Sequence, residues 1–166
     1  MKKQLTAALA AFSFSAAAMA TTAQFNIGGG VSNIEENGDK GALNLGVDFY
    51  NNPSGLQFGL GADMIYSDAE GVYKKNTSFD FSLLAGFDLR DVGMPVAVHG
   101  GVGYGFAKIM DGERMNGMVY GGNIELSFSD DFGVGIEYKV QDYEIDVSDG
   151  IPANTTNTLG YIFLRN

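Results

Sequence analysis

Residues 77–90, TSFDFSLLAGFDLR, alternate along their length. Phe79, Phe81, Leu83, Ala85, Phe87 and Leu89 share one parity; Ser78, Asp80, Ser82, Gly86, Asp88 and Arg90 share the other, broken only by Leu84. Successive side chains on a β-strand point to opposite faces, so this spacing predicts a strand with one apolar and one polar side. Seven further segments repeat the pattern. Their apolar parities are Phe25, Ile27 and Val31; Leu43, Leu45, Val47 and Phe49; Leu56, Phe58, Leu60, Ala62, Met64 and Tyr66; Val96, Val98, Val102, Tyr104 and Phe106; Met118, Tyr120, Ile124, Leu126 and Phe128; Phe132, Val134, Ile136, Tyr138 and Val140; and Leu159, Tyr161 and Phe163. The opposite parity holds Asn26, Asn44, Asp48, Gln57, Asp63, His99, Asn123, Glu125, Glu137, Lys139 and Gln141, with many glycines between them.

The links between segments alternate as well. NNPSG, DVGMP and SDD are tight turn sequences. The other four links are longer and more polar: SNIEENGDKG, SDAEGVYKKNT, MDGERMNG and EIDVSDGIPANTT. Several segments run about ten residues before a turn signal, the length of a tilted membrane strand, whereas soluble strands usually stop at about five or six. Short turns at one end and long loops at the other are the plan of a membrane β-barrel. Phe49, Phe128, Phe132, Tyr161 and Phe163 fall toward the short-turn end, and Tyr66, Phe106 and Tyr143 toward the long-loop end, as two aromatic girdles would.

The start of the chain adds a location. Lys2 and Lys3 precede a small, apolar run that ends in Ala18-Met19-Ala20. This is the layout of a secretory signal peptide, predicted over residues 1–20, with the exported domain over 21–166. No later apolar run approaches the roughly 20 residues of a membrane helix. The chain has no Cys, which excludes a disulfide scaffold, and only 3 Pro against 24 Gly, 12 Phe and 8 Tyr. Loss of Lys2 and Lys3 leaves 20 acids against 8 bases, a net charge of −12, which speaks against nucleic acid as a partner.

Two architectures fit an exported chain of this pattern, a two-sheet sandwich and a membrane barrel. The interior of eight closed strands is just wide enough for side chains. Twenty or more bulky apolar groups do not fit there, but the glycine-rich, acidic parity does. The expectation is therefore all-β: an eight-stranded, antiparallel, up-and-down transmembrane β-barrel with its apolar face in lipid.

On this pattern the chain resembles the small eight-stranded outer-membrane barrels, the transmembrane domain of OmpA, OmpX and the opacity-type surface proteins. The resemblance covers residues 21–166 and implies a bacterial outer-membrane location, outer-membrane lipid as surroundings and a barrel-assembly machinery for insertion. That machinery reads a motif in the last strand, and Thr158, Gly160 and Phe163 stand at its spacings. Arg165 occupies the final aromatic position, where its head is expected to snorkel to the membrane edge. The chain ends at Asn166, where OmpA-like proteins carry a periplasmic extension, so a peptidoglycan-binding role is not expected.

The candidate chemistry lies on the polar parity. Folding the fifth and sixth segments about Gly112 sets His99 opposite Glu125, and a turn at Asp130-Asp131 brings Glu137 beside Glu125, with Lys139 next on the same face. The expectation is an interior ionic cluster of His99, Glu125, Glu137 and Lys139. It serves either as a polar plug that fixes register or as a proton-sensitive gate, since histidine titrates near neutral pH. One His and no Cys exclude a multi-histidine or thiolate metal site, and no cofactor is implied. His99 faces inward by parity, away from the lipid side where a barrel lipid hydrolase works, so no enzyme is expected. GGVGYG at 100–105 lacks the strand–loop–helix setting of a phosphate cradle, and DVSDG at 146–150 lacks calcium-loop spacing. Two functions remain. The first is a structural or surface-interaction protein presenting four acidic loops near 33–41, 67–77, 110–117 and 144–156. The second is a narrow, cation-preferring pore along the glycine-rich interior.

Overall fold

The alternation closes on itself. In the computed structural model, which describes residues 22–34, 38–67, 76–109, 114–145 and 153–166, eight strands follow in order: β1 (Thr22–Ile34), β2 (Gly38–Tyr50), β3 (Gly55–Ser67), β4 (Asn76–Asp88), β5 (Val96–Ile109), β6 (Arg114–Ser127), β7 (Phe132–Ile145) and β8 (Ala153–Arg165). Each pairs antiparallel with the next, and β8 returns to β1, so the sheet is a closed barrel without an edge. Strands of 13 or 14 residues, tilted as closure requires, rise about 33 Å along the barrel axis. That height crosses the apolar part of a bilayer. Among the described residues no helix could do so.

Seven strands set their apolar parity outward as predicted: Phe25, Leu43, Phe58, Phe87, Val98, Ile124 and Ile136 are all exposed on the barrel wall. Leu84, the break in the opening pattern, points inward against Gly61 and Gly101.

The eighth strand is reversed. Leu159, Tyr161 and Phe163, expected on the lipid face, are buried in the lumen, while Gly160, Ile162 and Leu164 face out. The cause lies in the flanking strands. The inward positions opposite Tyr161 and Phe163 are Gly135 and Gly133 on β7. A Cβ on Gly135 would come within 2.7 Å of the Tyr161 ring, so the glycine floor is what admits the aromatic. The girdle assignments of Tyr143, Tyr161 and Phe163 are corrected with it, because all three are interior.

The short-turn end is built from residues 51–54, 128–131 and a 3-10 turn at Leu89–Val92. The predicted fourth segment thus stops at Asp88, whose carboxylate caps the turn at the Arg90 N–H, and Gly93 closes it at φ 81°. The strands also run further toward the long-loop end than expected. The four predicted loops narrow to 35–37, 68–75, 110–113 and 146–152, which lie outside the described residues, as does the predicted signal peptide at 1–20.

Candidate functional site: the barrel lumen

The inward parity of all eight strands meets in the lumen, where polar groups form two ionic groups separated by a histidine layer.

The lower group sits near the short turns. Arg165, last residue of β8, pairs with Glu125 of β6 (Nη2 to Oε2, 2.5 Å) and Asp88 of β4 (Nη1 to Oδ2, 3.2 Å). Its Nε donates to Gln24 Oε1 at 2.6 Å, and its guanidinium lies 4.5 Å from the Phe163 ring centre. Glu125 Oε1 also accepts from Gln24 Nε2 and Tyr161 Oη, at 2.5 and 2.8 Å. Asp88 is shared with Arg90, whose Nε lies 2.9 Å from Oδ2. Arg90 further donates to the Pro53 and Asp130 carbonyls, at 2.5 and 3.0 Å, and so joins all three short turns. The hydrogen bond and charge of Asp88, together with Asp130, hold the Arg90 guanidinium even more firmly protonated than usual, against a smaller opposing effect of burial. Two cations alternate with two anions, the arrangement a buried ionic group needs.

In the histidine layer, the His99 ring stacks on Tyr50 at 4.8 Å between centroids. Its Nε2 is 2.7 Å from Gln57 Oε1 and its Nδ1 3.0 Å from Asn123 Oδ1.

The upper group surrounds one ammonium. Lys139 Nζ lies 2.6 Å from Asp63 Oδ2, 3.0 Å from Glu137 Oε1 and 4.0 Å from Asp80 Oδ2. Gln141 and Tyr143 donate to Asp80 at 2.7 and 3.2 Å, and Asn157 donates to Gln141 at 3.0 Å.

Of the four predicted cluster residues, the lumen brings Glu137 and Lys139 into contact but gives Glu125 and His99 other partners. The register explains the difference. Lys108 pairs with Arg114, so β5 and β6 fold about position 111 and not Gly112, which sets His99 opposite Asn123 and Ala97 opposite Glu125. The β6–β7 turn likewise sets Glu137 opposite Asn123 and Gly135 opposite Glu125. Asp63, Asp80 and Asp88 were visible on the polar parity, but their partners are set by register across several strands. Arg165 lies in the lumen and not at the expected membrane edge, because β8 is reversed. In the last-strand motif, Thr158 and Gly160 face outward and Phe163 inward.

Among the described residues no three His, Asp or Glu side chains are placed to share a metal ion. A cavity of about 30 Å³ lies between the histidine layer and the upper group, bordered by Asn26, Asn44, Asp48, Asp63, His99 and Glu137.

Comparison with known proteins agrees with this geometry. The outer membrane protein beta-barrel domain family matches residues 5–163. The fold is similar to that of Ail, the attachment invasion locus protein of Yersinia pestis (TM-score 0.61, 13% identity, 89% of this chain and 100% of that one). It is also similar to the N-terminal β-barrel domain of Pseudomonas aeruginosa OprF (TM-score 0.59, 10% identity, 89% and 98%) and to Neisserial surface protein A (TM-score 0.57, 12% identity, 86% and 95%). No curated protein sequence matches. An exposed apolar wall, a closed antiparallel sheet and a polar lumen are what a strand-built membrane protein requires, and the chain belongs to the outer membrane protein beta-barrel domain family, located in the bacterial outer membrane.

Proposed function

We propose that this barrel is a structural and surface-interaction protein whose working surface is its long-loop end. The filled lumen carries this reading. Tyr50, Gln57, Phe163 and Arg165 occupy its lower part, Lys139, Gln141 and Tyr143 its upper part, and the cavity between them has about the volume of a water or two. A barrel filled in this way works through its ends. The four links at the long-loop end carry Glu35, Glu36, Asp68, Glu70, Asp111, Glu113, Asp146 and Asp149 against Lys74 and Lys75. Ail has been determined in complex with the heparin analogue sucrose octasulfate. Acid-rich links favour a neutral or cationic partner here.

In this reading the chain is exported, cleaved after Ala20 and inserted by an assembly machinery that reads Thr158, Gly160 and Phe163. It is not an enzyme: both His99 ring nitrogens are occupied by amide side chains, which leaves neither for a serine. Protease treatment of intact cells tests the reading. Cuts are expected within 35–37, 68–75, 110–113 or 146–152, and complete protection of all four counts against a surface role.

A second reading is a narrow, cation-preferring pore gated by exchange of partners around Glu125, Glu137 and Lys139. The excess of carboxylates along the lumen favours it, because such a lining attracts cations.

A further inference from the structure

The lumen's positive charges are unevenly shared. In the lower group, Arg90 and Arg165 face Asp88 and Glu125, and charge balances. In the upper part, Lys139 alone among the described residues faces Asp63, Glu137 and Asp80. Asp48 joins them on the inward side of β2. It is 5% exposed, and among the described residues it has no ion-pair partner. Its hydrogen bond comes from a neutral amide, Asn26 Nδ2 to Oδ2 at 2.7 Å. Among the described residues the upper part of the lumen thus holds four carboxylates against one ammonium, which contacts only three of them. A buried, ionised and unpaired carboxylate is so costly that it takes up a proton instead.

A second observation stands at the same place. Asn44 is 2% exposed and borders the same cavity as Asp48, and its Oδ1 has no donor. A buried acceptor beside a polar space is satisfied by a guest that carries hydrogen. A cavity of about 30 Å³ has room for a water or two.

We propose that the cavity is a proton-binding site and that Asp48 holds the proton at neutral pH. The proton comes from solvent, converts the carboxylate to a carboxyl and makes it a donor into the cavity. A water seated there relays that donation to Asn44 Oδ1. Asp48 is the acceptor because Lys139 contacts each of the other three carboxylates of the upper group.

The surrounding groups do not remove the need. Asp63 of β3, His99 of β5, Glu137 and Lys139 of β7, Tyr161 of β8 and the neutral Asn26 of β1 border the site, and Asp80 of β4, Glu125 of β6, Arg165 of β8, Gln24 of β1 and Tyr50 of β2 are buried elsewhere in the lumen. Arg165 is engaged by Glu125 and Asp88. Even a doubly protonated His99 would leave the upper group two positive charges short. The site is independent of the functional readings above, since a closed surface barrel and a pore would both contain it.

Infrared spectroscopy of the protein extracted from outer membranes into detergent tests this. A protonated-carboxyl band is expected at neutral pH. It should shift when aspartate carboxyls are labelled with ¹³C, vanish reversibly on alkaline titration, and be absent from Asp48→Asn. Where Asp48→Asn does not assemble, Asp63→Asn and Asp80→Asn must each retain the band. Absence of the band from the unaltered protein, indifference to the aspartate label, persistence in Asp48→Asn, or loss in Asp63→Asn or Asp80→Asn overturns the proposal.

Discussion

Arg165 and Glu125 are joined across the lumen at 2.5 Å, linking the last strand to the sixth with both side chains buried. The pair holds together two strands that are not neighbours in the sheet. Arg165→Met strands Glu125 as a buried charge, and Glu125→Gln leaves Arg165 only Asp88, which Arg90 already holds; breaking a buried pair costs about 3–5 kcal/mol. Glu125→Gln and Arg165→Met should each lower the temperature at which the folded form converts to the slow-migrating form on a denaturing gel. The double variant should recover part of the loss, because no charge is then left unpaired. A double-variant loss equal to the sum of the two single losses would show that the bridge contributes little.

A second prediction concerns glycines on opposite sides of the wall. Gly135 faces inward beneath the Tyr161 ring, and an added methyl would overlap it. Gly100 faces outward, and an added methyl would meet its nearest atom, the Gly121 carbonyl oxygen, at 3.7 Å. Gly135→Ala should destabilise by about 1–3 kcal/mol through overpacking. Gly100→Ala should be neutral or stabilise by a few tenths, because alanine loses less backbone freedom on folding. Urea titrations of the two variants in detergent compare them directly, and a Gly135→Ala midpoint equal to that of the parent would refute the packing account of the reversed strand.

These two sites also show how much was legible beforehand. Seven strands and their outward faces could be read from alternation, because a lipid-facing side must be apolar at each turn of the pleat. The eighth alternates between two apolar parities: Leu159, Tyr161 and Phe163 on one and Ile162 and Leu164 on the other. The aromatic set reads as a membrane girdle, but the choice depends on the inward glycines of β7, its hairpin partner, and of β1, its neighbour only once the barrel closes. The lumen shows the same division. Its polar character and its members could be read from parity, and the contact of Glu137 with Lys139 followed from their spacing. The partners of His99 and Glu125 depended on turns centred within a residue, and a one-residue change in a hairpin centre moves every cross-strand partner by two.

Arg90 supports a third prediction. Its side chain reaches Asp88, the Pro53 carbonyl and the Asp130 carbonyl, and so ties together the three short turns. Arg90→Ala should cost about 1.5–3 kcal/mol, the range for lost hydrogen bonds to a charged group. The loss should be local, with faster amide hydrogen exchange in residues 51–54 and 128–131 and unchanged protection at mid-strand. Uniform acceleration along all strands would assign Arg90 a role in the whole barrel.

The last prediction separates the two functional readings. At the lower end of the lumen, Tyr50, Gln57 and Phe163 are at most 1% exposed, and Arg165 lies among groups that it holds by hydrogen bonds and ion pairs. An ion would have to displace that guanidinium to pass. In a planar bilayer the extracted protein should therefore be silent at neutral pH. Arg165→Ala removes both the obstacle and its positive charge, leaving Glu125 and Asp88 facing the opened space. It should give small, cation-selective steps, since carboxylates without their cation attract others. Discrete steps in the unaltered protein that vanish in Glu125→Gln would instead identify a working pore gated at this pair. Silence in both the protein and Arg165→Ala would mean that the histidine layer and the upper group close the path on their own, which leaves the long-loop end as the surface where the barrel acts.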